Sequence, residues 1–342
     1  MGQGDIRADH GTGIVFLVAA VLLAALVVVA VRFQVEPPYC WLWMAAIAVV
    51  AIALVGVGRQ RWKAGWGGLA IACLVGAAWW MSIAPSNDRD WAPDVAHGVT
   101  ADIARPDVVL HNVRNFEWRG EDDFTPRWET RRYSLDRLTS VDLVSSVWAS
   151  PAIAHTLISF GFADSRHVVF SAEVRRERGE EFSEIGGFFK EFELVMIAAD
   201  ESDILRLRTN IRRENVTLLP LRLTGVQARA LFVAYVNRAN KLARQPQFYQ
   251  TITANCTTVM FELARLIDRR VPMDWRILVS GYLPEYLYDL RIIRTDIPID
   301  QVLQQAAISQ RALDAPAGSD YSRVIRAESV TPAATGPASG AH

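Results

Sequence analysis

An α+β protein hung on a membrane anchor is the fold the sequence predicts. Two observations carry this: long charge-free apolar runs fill the first 84 residues, and the later residues mix period-two and period-3.6 segments. The 342-residue chain is 51% hydrophobic and 21% charged, and the apolar excess is concentrated at its front. Residues 1–84 carry only Asp5, Asp9 and Glu36 against Arg7, Arg32, Arg59, Arg61 and Lys63. Residues 85–342 carry 31 Lys and Arg against 34 Asp and Glu, a slightly acidic balance that argues against nucleic acid as a partner.

Residues 13–31 form an uninterrupted apolar run long enough to span a hydrocarbon core. A cleavable signal peptide would need a small-residue cleavage site after a shorter run, but Arg32-Phe33-Gln34-Val35 follows. Further runs at 41–57 and 65–84 predict a second and a third spanning helix. Tyr39, Trp41, Trp43, Trp62, Trp66, Trp79 and Trp80 stand at their ends, where amphipathic rings settle at the membrane interface. Arg59, Arg61 and Lys63 crowd the loop between the second and third runs, so that loop is expected in the cytoplasm, with the N-terminus and Arg7. Three crossings then deliver the rest of the chain to the far side.

Beyond the anchor, 85–105 reads as a polar linker with two prolines, 106–312 as a globular domain, and 313–342 as a disordered tail rich in Ala, Pro, Gly and Ser. Short strands are expected around 108–110, 116–118, 133–135 and 188–198. Apolar residues at 138, 141, 144, 147 and 148 have helical spacing. His155–Phe162 and His167–Val174, separated by Ala163-Asp164-Ser165-Arg166, read as a β-hairpin. Helices are expected over 223–244, opening at Thr224, and 255–270.

Cys256 is the only cysteine beyond the membrane runs. It follows Asn255, a good N-cap type, and so falls in the first turn of a helix, where free N–H groups and the macrodipole favour thiolate. A buried structural cysteine is the competing reading. No His/Cys/Asp cluster has metal-ligand spacing, so neither a metal nor another cofactor is expected. The basic runs Arg206, Arg208, Arg212, Arg213 and Arg131, Arg132 suit lipid headgroups or phosphate, but with Glu and Asp nearby they read rather as a solvated face.

A histidine at a strand start, a hairpin, then Asn-Cys at a helix start resembles the circularly permuted papain-like fold of the NlpC/P60 superfamily. More closely, Asn112-Val113-Arg114-Asn115-Phe116-Glu117-Trp118-Arg119, Arg127-Trp128-Glu129, Ile153-Ala154-His155-Thr156 and Asn255-Cys256-Thr257-Thr258 resemble the DUF4105 family, the N-terminal periplasmic domain of bacterial lipoprotein N-acyltransferases. The resemblance covers about 110–270. Where the relatives carry Phe-Gly-His-Thr this chain has Ile153-Ala154-His155-Thr156, and it carries three N-terminal apolar runs in place of C-terminal ones.

The resemblance implies a bacterial inner-membrane protein with a periplasmic thiol acyltransferase or hydrolase, Cys256 as nucleophile and His155 as base. Its substrate would be a lipoprotein or phospholipid in the inner membrane. A peptidoglycan amidase or peptidase is the alternative, and a non-catalytic envelope module the second. For the group that orients the imidazole, hairpin arithmetic favours Glu173. A three-residue turn pairs His155 with Arg175 and leaves Glu173 one diagonal step away. His167 matches the two-histidine spacing of the related acyltransferases, but the hairpin would hold it roughly 20 Å from His155. Tyr249, seven residues before Cys256, matches a tyrosine near the oxyanion site of those relatives; an ordinary half-buried tyrosine is the alternative.

Overall fold

The computed structural model describes residues 10–316 and 319–327; Arg7 and residues 328–342 of the expected tail lie outside them. The chain is mixed α+β and divides into two compact units.

The first unit holds residues 1–89 with two later excursions, 179–193 and 246–251. Its helices are α1 (His10–Gln34), α2 (Tyr39–Gln60) and α3 (Trp62–Ser82), all long and apolar enough to cross a membrane. Each extends beyond the apolar run at its N-terminal end, because polar residues at a membrane surface continue the hydrogen-bond ladder at little cost. The helices approach closely at two glycines. A Cβ on Gly65 would lie 2.5 Å from the Gly58 Cα, and one on Gly58 would lie 2.3 Å from the Phe16 ring. Small residues at such contacts let apolar helices pack where no hydrophobic effect drives them together. Phe16 fills the seam and meets Trp66 edge-on at 5.4 Å.

The second unit holds 90–178, 194–245 and 252–342. Its strands are β1 (Thr100–Ala104), β2 (Asp107–Arg114), β3 (Glu117–Trp118), β4 (Phe124–Thr125), β5 (Trp128–Ser134), β6 (Leu138–Val147), β7 (Ala154–Phe162), β8 (His167–Arg175), β9 (Glu193–Ala199) and β10 (Asn215–Pro220). The main sheet runs β1-β2-β9-β8-β7-β6-β10, with β5 also paired to β2. Its helices are α4 (Glu201–Arg206), α5 (Gly225–Arg244), α6 (Cys256–Ile267), α7 (Leu283–Asp289), α8 (Ile299–Ala306), α9 (Ser309–Leu313) and α10 (Tyr321–Arg326). Alternation along the central strands gives the sheet two apolar faces. Phe160, Phe162 and Phe170 pack their rings against Phe232 of α5. On the other face Leu157, Val169 and Ile197 pack with Ile204 of α4 and Ile308.

Four expectations are corrected. The stretch 138–148 is strand, not helix: β6 lies inside the sheet with Val141 through Ser146 buried, so both faces are covered and the apolar spacing loses its period of two. The segment read as a linker contains β1, and its Trp91, Val95 and Val99 are buried. The stretch 106–312 is not one compact body, because 179–193 and 246–251 belong with the spanning helices. The tail is ordered at α10, where Tyr321 and Ile325 are core residues. There Arg326 reaches Glu201 at 2.6 and 2.7 Å and Asp142 at 2.8 Å. Two buried carboxylates need a cation, and Arg326 of α10 supplies it.

Candidate active site

The start of α6 is built by Asn255. Its extended backbone turns the chain into the helix, and its side-chain oxygen accepts from the N–H groups of Thr257 and Thr258 at 3.0 and 2.9 Å. The Thr258 hydroxyl oxygen accepts from the Asn255 N–H, closing a reciprocal cap. Cys256 is therefore the first helical residue, partly buried, with its sulphur 3.7 Å from the Thr257 hydroxyl. Thr257 in turn meets Thr156 of β7 at 3.2 Å, locking the helix start to the strand that carries His155.

The hairpin supplies the rest. Leu157 pairs with Ser171 and Gly161 with His167, a register that, carried two residues further, sets Glu173 directly opposite His155. The turn explains the shift from the expected pairing. Ser165 takes φ +64°, so the chain reverses over 163–165 with Phe162 and Arg166 joined by hydrogen bonding, rather than over 164–166. The His155 Nε2 lies 2.7 Å from the Ser171 hydroxyl and 3.0 Å from the Glu173 carboxylate. Ser171 donates its proton to Glu173 at 2.7 Å, so the imidazole must be the donor on this side. The imidazole also interacts with Cys256, the charge of each favouring the charged form of the other.

Burial alone would raise the Cys256 thiol, but the imidazolium of His155, its hydrogen bond and the bonds from Thr156 outweigh this and bring it down to about 6. Burial likewise opposes a charged His155, yet the Glu173 carboxylate overrides it, against a smaller opposing push from Arg208, and lifts the imidazole to about 9. Burial would also raise Glu173, but His155, Arg208 and Ser171 hold it far below the ordinary carboxylate range. Between pH about 6 and about 9 the resting site is thus a thiolate–imidazolium pair braced by a carboxylate.

Arg208 is not on a solvated face. Only 6% of its side chain is exposed, and its guanidinium lies 3.3 Å from Glu173 and 3.4 Å from Glu214. Glu214 also accepts from Ser146. Arg208 sits in a π-helical turn, Leu207–Ile211, that continues α4.

The structure brings Cys256, His155 and Glu173 together. His167 pairs with Gly161 near the hairpin tip and faces Ser165 and Glu201 instead. Tyr249 belongs to the first unit, where its N–H donates to the Phe192 carbonyl. The tyrosine that feels the Cys256 charge is Tyr235 of α5: burial first, and the thiolate second, push its phenol up, so it stays neutral. Ser171, Arg208 and Tyr235 escape sequence reasoning. Ser171 alone left a signal, two residues from Glu173 on the same strand face.

Fold and site together define a class: a membrane protein whose spanning helices precede an α+β module in which one histidine interacts with both a cysteine and a glutamate. Residues 124–281 match the Lnb N-terminal periplasmic domain family, a span that includes Cys256, His155 and Glu173. The match begins after the Asn112–Arg119 block. No curated protein and no solved structure matches the chain.

Proposed function

We propose that this protein is a cysteine-dependent acyltransferase or hydrolase that works at the outer face of a bacterial inner membrane on acyl groups of a lipid or lipoprotein. The observation that carries the reading is the Cys256–His155–Glu173 contact, with the thiol pulled down to about 6 at a helix N-terminus. The Cys256 thiolate attacks the ester carbonyl and an S–C bond forms. The tetrahedral oxyanion collapses, the C–O bond breaks, and the His155 imidazolium gives its proton to the leaving alkoxide. Neutral His155 then takes a proton from water or an amine as that nucleophile attacks the thioester. The acyl group leaves as acid or amide, and the thiolate–imidazolium pair is restored. Glu173 and Ser171 hold the imidazole in the one orientation that serves both steps.

Intact-mass spectrometry of the detergent-extracted protein tests this. A fatty-acyl adduct on Cys256, removed by neutral hydroxylamine and absent from Cys256→Ser, is the expected result; an unmodified thiol after incubation with bacterial phospholipid and lipoprotein sinks the reading.

The orientation belongs to the same proposal and rests on Arg59, Arg61 and Lys63 lying at the α2–α3 junction. A periplasm-dependent reporter fused after Pro85 is expected to be active, and one that works only in the cytoplasm to be silent.

A further inference from the structure

The excursion 179–193 has a property that catalysis does not use: it presents apolar side chains beside the ends of the spanning helices. Gln34, the last residue of α1, donates from Nε2 to the carbonyls of Phe189 and Lys190, both at 2.8 Å. The Lys190 ammonium donates to the carbonyls of Trp80 at 2.7 Å and Ile83 at 3.2 Å, at the end of α3. Phe189 stacks on Phe33 at 5.8 Å and meets Trp80 edge-on at 6.3 Å. The excursion is therefore fixed to the end where α1 and α3 finish and α2, with exposed Tyr39, Trp41 and Trp43, begins. Helix ends of this kind lie at the water–lipid boundary, and their aromatic residues mark it.

At that level Phe182 is 48% exposed, Ile185 59% and Phe188 41%. We infer that 179–193 is an interfacial membrane anchor, and that the occupant of its apolar face is the headgroup–acyl boundary of the bilayer that holds α1–α3. Glu181 and Glu184 are exposed beside them, so the segment presents apolar and acidic side chains together, as an interfacial segment does. Charge is not the attraction: the segment carries five glutamates and one lysine, which anionic lipid repels. The surface fits zwitterionic phospholipid, entered by apolar side chains. The excursion 246–251 is tied to it, Tyr249 N–H to the Phe192 carbonyl and the Thr251 hydroxyl to the Glu184 carbonyl, each at 2.9 Å. In the chain, the first excursion follows β8, which bears Glu173, and the second ends five residues before Cys256.

The test uses the full chain in phosphatidylcholine nanodiscs, with the photoprobe p-benzoylphenylalanine placed singly at position 182, 185 or 188, each exposed enough to accept it. A probe at position 74, on exposed Leu74 of α3, is the positive control for lipid contact. Lipid adducts at two or all three positions, unchanged at high salt, are the expected result. Lipid adducts at one or none, while position 74 reacts with lipid, overturn the inference, as do cross-links to a second copy of the chain in place of lipid.

Discussion

His155→Ala slows turnover of an acyl ester by about 10²–10⁴-fold, the usual loss when a positioned acid–base group is removed. Cys256→Ser loses at least as much, because a hydroxyl in the same place is far less acidic and the site is tuned for thiolate. The two residues act as one unit, so the double variant is barely slower than either single. Initial rates on a short-chain ester, with thermal melting to show that each variant is folded, decide the matter. A fully active Cys256→Ser, or a double variant as slow as the product of the singles, refutes the shared mechanism.

The same pair predicts the pH profile. The acylation rate rises as pH passes about 6 and the thiolate forms, and falls as pH passes about 9 and the imidazolium loses the proton it must give to the leaving group. The stability contributions share that window. The depressed thiol stabilises the fold at high pH and loses this as pH falls through about 6; the raised imidazole stabilises it at low pH and loses this as pH rises through about 9. Iodoacetamide reads the thiol without any substrate. At pH 6, half of Cys256 is thiolate in the native site, whereas a thiol returned to its ordinary value of 9.0 is about 0.1% ionised. A higher pKa also makes each thiolate more nucleophilic, offsetting part of that ratio, so alkylation of His155→Ala at pH 6 is slower by roughly 20-fold rather than several hundred. Equal rates in the two proteins rule out the ion pair.

What could be read from the sequence follows from how local each signal is. Cys256 and Asn255 are adjacent, and their cap needs no tertiary information. The spanning helices are legible because lipid forces one segment to satisfy its own backbone. Glu173 is legible only to within two residues, since the register hangs on which residue of the turn adopts the left-handed conformation, and a serine there gives weak notice. Arg208 is not legible: it sits in a π turn, and its partners Glu173 and Glu214 lie 35 and six residues away in the chain. Trp91 and Arg326 were missed for a related reason. Each is a lone anchor in a polar stretch, and only the tertiary fold shows the Arg175 guanidinium over the Trp91 ring, 4.4 Å from its centroid, or the carboxylates waiting for Arg326.

Asp203→Ala is the substitution expected to unfold the module most readily. Asp203 is fully buried and accepts from Arg114 Nε and Nη2, both at 3.0 Å, from the Phe116 N–H at 2.8 Å and from the Trp118 indole at 2.7 Å. Arg114, Phe116 and Trp118 thus converge on one carboxylate at the start of α4. Alanine leaves a guanidinium, an amide and an indole without that acceptor. Breaking such a buried pair costs about 3–5 kcal/mol. For a module of this size that lowers the melting temperature by roughly 6–20 °C. Arg114→Met/Asp203→Leu removes both charges and is expected to melt above Asp203→Ala, because the cost lies in stranding a charge rather than in losing the pair's attraction. Differential scanning fluorimetry of the two variants beside the native protein separates these effects. A double variant no more stable than Asp203→Ala would mean that the carboxylate's bonds to Phe116 and Trp118, and not the stranded guanidinium, hold α4 in place, and with it the π turn that delivers Arg208 to Glu173.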